Sequence, residues 1–129
     1  MTAKTAALAI GIIFIVVGLL GFIDNPIVGS SEKAIFHADT VHNMVHIISG
    51  LLFVLVAMAA PASASTVMII FGIVYLLIGI LGITSVGENG MAKVLGFLHV
   101  NAADNYLHIA LGIVIALAGM ITRRRPIAA

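Results

Sequence analysis

Cysteine and tryptophan are absent from these 129 residues, only three prolines occur, and charged side chains make up 9% of the chain. Without cysteine there is no disulfide, no thiolate metal site and no thiol nucleophile, and the redox compartment stays open. Soluble domains carry about a quarter charged residues, so this chain has too little polar surface to coat a globule in water. Such a composition belongs to a membrane protein. The net charge of +1 lacks the basic bulk that binding nucleic acid needs. Missing tryptophan also thins the usual aromatic anchors at the membrane interface.

What is present is mostly apolar: 62% hydrophobic residues and a mean hydropathy of +1.26. Four runs approach the ~20 residues a spanning helix needs, at about 6–23, 40–60, 66–84 and 102–121. The first competes with a signal peptide, but Gly18-Leu-Leu-Gly21-Phe22-Ile23 has no small-residue cleavage site, and we read it as retained. Asp24-Asn25-Pro26 breaks it, because proline cannot continue a helix and restricts the residue before it. Asp39 or Thr40 is the expected N-cap of the second span. Pro61 to Ser65 is an uncharged turn, and Arg123, Arg124, Arg125 and Pro126 stop the fourth span. Lys33-Ala-Ile-Phe-His37 reads as a short interfacial helix, and Met91 to Val100 as a second interfacial segment. The prediction is an all-α integral-membrane four-helix bundle in a single domain, residues 1–129. Lys4 and the arginine run lie at the two termini, so the positive-inside rule makes both termini cytoplasmic. The lipid bilayer is the implied partner; a homo-oligomer or a membrane-protein partner stays open.

The two halves, about 1–61 and 62–129, repeat. Gly11, Gly18 and Gly21 match Gly72, Gly79 and Gly82, and Phe14 matches Tyr75. Further on, His37, Asn43, His46, Gly50 and Met58 match His99, Asn105, His108, Gly112 and Met120. Each unit is a helical hairpin, and parallel repeats of this kind are related by an axis along the membrane normal. Pseudo-twofold symmetry is therefore expected, with the glycines allowing close helix approach.

Two polar stripes interrupt the apolar runs: Asp39, His42, Asn43, His46 and Gly50, and Asn101, Asp104, Asn105, His108 and Gly112. Each falls within about a third of a helix circumference. Lipid cannot satisfy these groups, so both stripes should face the bundle interior, at the outer ends of spans two and four. Symmetry would then bring His46 near His108 and His42 near Asp104.

Several readings compete for this centre. Interhelical hydrogen bonds at about 1 kcal/mol each would clamp the halves together. Alternatively, His42 and His46 at i, i+4, with Asp104 and His108 at the same spacing, form a metal-ligand set suited to zinc, copper or iron. Asn43, Asn105, Asp39 and Asn101 would then orient those ligands. If that centre is catalytic, its outward position favours metal-assisted hydrolysis; whether the chain is an enzyme stays open. A third reading makes His46 and His108 axial ligands of a haem, with Gly50 and Gly112 giving the ring room. Ion or proton transport through His46, Asp104 and His108 is the fourth. His37 and His99 read as headgroup-level side chains. Tyr75 reads as an interhelical hydrogen-bonding residue, the methionines as packing, and Arg123–Arg125 as a topology anchor.

The boxes His42-Asn43-x-x-His46 and Asp104-Asn105-x-x-His108 resemble those of a family of small bacterial four-helix membrane proteins known only as a domain of unknown function. The resemblance covers nearly the whole chain. It implies four spans in a bacterial cytoplasmic membrane and brings no activity or site with it.

Overall fold

A computed structural model describes residues 1–123; Arg124, Arg125 and Pro126 lie outside the described residues. Four helices carry the fold: α1 Ala3–Leu20, α2 Thr40–Ala59, α3 Ala64–Thr84 and α4 Ala102–Arg123. All four are long and apolar enough to cross a membrane. Thr2 caps α1, its hydroxyl accepting the Thr5 N–H at 3.1 Å. At the other end of α1 the Asn25 amide donates to the Leu20 carbonyl at 2.9 Å, satisfying a group that helix ends leave open. Pro61–Ser63 is a 3₁₀ turn that leads directly into α3.

The packing is inverted relative to a water-soluble domain. Ile12, Val16, Leu51, Leu55, Ile70 and Leu77 stand on the outside, each about half exposed. Three histidines, two asparagines and an aspartate are inside. Lipid solvates the aliphatic exterior but offers no partner to polar side chains, so this is the arrangement a bilayer selects.

Helix α1 packs tightly against α2, and α3 against α4, while the two pairs touch each other far less. Glycine makes the tight pairs. A Cβ on Gly50 would stand 2.6 Å from the Gly11 carbonyl oxygen, and one on Gly112 would stand 2.6 Å from the Gly72 carbonyl oxygen. Backbone meets backbone there, which only a missing side chain permits.

The connecting segments differ from the sequence expectation. Met91–Val94 (β3) and Leu98–Asn101 (β4) form an antiparallel hairpin rather than a plain interfacial segment. Ala92, Val94, Leu98 and Val100 alternate inward, a period of two that fits a strand. Leu95 and Gly96 at positive φ (55° and 81°) make the turn. Lys33 to His37 does not form a helix either. Val28–Gly29 (β1) pairs in parallel with Phe36–His37 (β2), and Val28 and Ala38 are buried over the helix ends. These pieces cap the end of the bundle where α2 and α4 begin.

A cluster of imidazoles between the two helix pairs

The cap is stitched across the two halves. The Asp104 Oδ2 accepts the Asn101 N–H at 2.8 Å while the Asn101 Oδ1 accepts the Asp104 N–H at 2.9 Å. This reciprocal pair is a capping box with Asp in the third position. The same Oδ2 also accepts the His37 N–H at 3.2 Å, 67 residues away, and the Asn101 amide donates to the Ile35 carbonyl at 3.0 Å. Replacing Asn101 with Ala should therefore cost more than the ~1 kcal/mol of an ordinary cap, read as a lower thermal midpoint in mild detergent. An unchanged midpoint would refute the cross-link.

Asp39 is the matching cap of α2, its Oδ1 accepting the His42 N–H at 2.9 Å. Its other oxygen lies 3.2 Å from the His99 Nδ1, joining the first half to the β3–β4 hairpin. Burial alone would raise the Asp39 carboxyl, but the His42 N–H and the His99 ring outweigh it and hold it below its ordinary value. The sign follows from that direction. A depressed carboxyl stabilises the fold above its unfolded value of about 3.9 and loses that contribution as pH falls through the lower folded value. Acid titration of the intact protein should show this loss, and Asp39→Asn should remove it; identical acid transitions would refute it.

Below the cap lies the centre. One ring nitrogen from each of His42, His46 and His108 falls within 4.8 Å of the others. Ring centroids are 4.7 Å apart for His42 and His46, 5.6 Å for His42 and His108, and 6.4 Å for His46 and His108. The His42 Nδ1 lies 3.1 Å from the His37 carbonyl oxygen. A carbonyl only accepts, so that bond puts the proton on Nδ1 and leaves the Nε2 lone pair free. The Nδ1 atoms of His46 and His108 are buried with no hydrogen-bond partner among the described residues.

Asp104 stands beside this set and not in it. It lines the same cleft as the three imidazoles, but its Oδ2 is engaged by two backbone N–H groups. His42 and Asp104 are linked through one peptide unit: His37 donates its N–H to Asp104 and accepts from His42 through its carbonyl. Asn43 and Asn105 sit one step around the helices and point elsewhere. Their amides occupy the space that side chains on Gly21 and Gly82 would fill, and neither Oδ1 has a partner. Asp39 and Asn101 act as helix caps.

Sequence reasoning missed two parts of this site. The backbone of His37 organises both His42 and Asp104, and a backbone contact leaves no residue-type signal. An aromatic floor also supports the rings. Phe14 lies 5.7 Å from His46 and 5.4 Å from Tyr75, and Tyr75 lies 5.5 Å from His108. Phe53 meets Phe14 edge-on at 5.9 Å. The sequence showed Phe14 only as the repeat partner of Tyr75, and Phe53 looks like any other phenylalanine in a greasy helix.

Two clefts flank the imidazoles. One, of about 150 Å³, lies between α1 and α4; the other, of about 210 Å³, lies between α2 and α3 and is bordered by Ser49, Phe71 and Tyr75. No curated protein and no solved structure matches the chain. A family model described as a domain of unknown function, DUF4383, matches residues 4–121. With nearly the whole chain covered by that model, and with four helices fit to span a bilayer around a polar core, the protein belongs to the DUF4383 family of membrane proteins.

Proposed function

We propose that this chain is a small membrane metalloprotein that holds one transition-metal ion, zinc, copper or iron, between its two hairpins. The observation that carries this reading is the convergence of three buried imidazoles, His42, His46 and His108, within 4.8 Å. Three nitrogens at 2.0–2.1 Å from a tetrahedral zinc stand about 3.4 Å apart. Ring rotations on the order of an ångström close the set around an ion. His42 already carries the outer hydrogen bond that metal-bound histidines use to fix ring and tautomer. Asp104 is the positioning residue, holding the His37 peptide that holds His42.

The purely structural reading has weaker support. Glue histidines would bond to one another or to the backbone, yet the Nδ1 atoms of His46 and His108 have no partner. The cap already clamps the halves through His37, Asp104, Asn101 and Ile35. Haem also fits poorly, because the His42 ring stands beside both His46 and His108 where a macrocycle would lie. For the two helix pairs we propose descent from one hairpin, supported by the Gly11–Gly50 and Gly72–Gly112 approaches. Lys4 and Arg123 at the far end argue for cytoplasmic termini in a bacterial inner membrane, with the metal centre towards the outer face.

Elemental analysis of gently purified protein, loaded in turn with zinc, copper and iron and then desalted, tests the main reading. One retained ion per chain is expected. No retention of any of the three would overturn it.

A further inference from the structure

The cleft between α1 and α4 is more than a packing defect. Its walls are apolar, from Ile13, Val17 and Leu20 on one side and Leu107 and Leu111 on the other. Val28 (4% exposed) and Ala38 (1% exposed) border it on the cap side. Ile13, at its rim, is 56% exposed on the lipid-facing surface of α1. The cleft therefore reaches the lipid-facing side of α1, and on the cap side half-exposed Ile27 borders it beside buried Val28 and Ala38. At its inner end it reaches His42, His46, His108 and Asp104. His46 and His108 are more than nine-tenths buried there, with Nδ1 atoms that lack a partner.

We propose that this cleft admits a lipid-soluble molecule of the quinone class, its ring carbonyl placed at the imidazole centre and its apolar tail lying between α1 and α4. The shape of the cleft demands an occupant that dissolves in lipid and carries one polar end. Among the described residues no lysine or arginine lines the cleft, so neither offers an ion pair to an anionic head. A carbonyl oxygen suits either an imidazole N–H or an open position on a borderline metal, which polarises such oxygens. The inference deepens the metal reading and rests on it for what meets the carbonyl, not for the cleft or its opening.

The chain has no tryptophan, so an introduced one is a sole reporter, and quinones quench indole fluorescence on contact. Ile13→Trp places the reporter at the rim; Ile70→Trp places it on the exposed face of α3, away from the cleft. Titration with decyl-ubiquinone in mixed micelles should quench the first saturably and the second only in proportion to partitioning. In the Ile13→Trp background, Leu111→Phe or Val17→Phe should narrow the cleft and weaken the saturable phase by about tenfold or more, with metal content unchanged. Two different narrowing variants guard against one that fails to fold. Equal, unsaturable quenching at both reporters would overturn the inference, as would displacement of the quinone by an equal concentration of decanoate. Elemental analysis of the same samples separates the two readings. Bound metal with unsaturable quenching sinks the cleft inference alone, whereas saturable quenching without metal sinks the metal reading alone.

Discussion

Replacing His108 with Ala should weaken metal binding by more than about a hundredfold, because losing even an outer partner of a metal ligand costs 10–100-fold. His42→Ala and His46→Ala should do the same, since each removes one of three converging nitrogens. The useful control is His99→Ala. That ring is 46% exposed, pairs with Asp39 at the cap and takes no part in the set. Competition against a chromophoric chelator reads all four variants on one scale. Structural damage is separable from ligand loss: replacement by Gln keeps side-chain bulk without an imidazole nitrogen, so affinity should fall while the thermal midpoint of the metal-free protein stays near wild type. Unchanged affinity in His42→Ala, His46→Ala and His108→Ala alike would remove the metal centre from consideration.

The second large effect is expected at Gly112→Ala. A Cβ there would stand 2.5 Å from the Leu76 nitrogen and 2.6 Å from the Gly72 carbonyl oxygen. Both neighbours are backbone, so no side chain can swing aside; α3 and α4 must separate along their length. Overpacking costs about 1–3 kcal/mol where side chains can yield, and the cost here should lie at or above the top of that range. Gly29→Ala is the matched control, because its Cβ would meet only the Gly21 carbonyl oxygen at 3.7 Å, an ordinary contact. Unfolding in mixed micelles with rising SDS should show a much earlier transition for Gly112→Ala and little change for Gly29→Ala. The site should fail along with the fold. His108 lies one turn before Gly112 on the same helix, so moving α4 away carries one imidazole from the other two. Coincident wild-type midpoints for the two glycine variants would refute this account of the helix packing.

The bundle was legible in the sequence because the bilayer imposes a rule that composition obeys directly. Backbone groups must pair within each segment, so long apolar runs can only be helices, and four such runs give four spans. The interior position of the polar stripes follows from the same rule. Where water and lipid meet, that rule weakens: the helix expected at Lys33–His37 does not form, and the hairpin within the segment Met91–Val100 went unseen, because neither has a long run to betray it. The β3–β4 hairpin depends on the alternation of Ala92, Val94, Leu98 and Val100 and on a turn at Leu95 and Gly96, and Phe36–His37 depends on its parallel pairing with Val28–Gly29. A two-residue period carried over strands of only four residues is too short to stand out beside an apolar helix.

The candidate site divides the same way. Helical spacing alone puts His42 and His46 on one face, since i and i+4 always neighbour each other. Bringing His108 to them required two hairpins to meet at one depth, which the cap arranges through contacts 66 and 67 residues apart. Asp104 could not be separated from the imidazoles by residue type. Only the tertiary structure turned its Oδ2 to two backbone N–H groups and left the three rings as the convergent set. Likewise Asn43 and Asn105 share a face with the histidines by spacing, yet Gly21 and Gly82 open the space that draws their amides away. The sequence by itself determined that this is a four-span membrane protein with a polar interior, because hydrophobic length and the burial of polar groups are local demands. The tertiary structure alone decided which polar groups meet, because that depends on the register of one hairpin against the other, and no single helix encodes it.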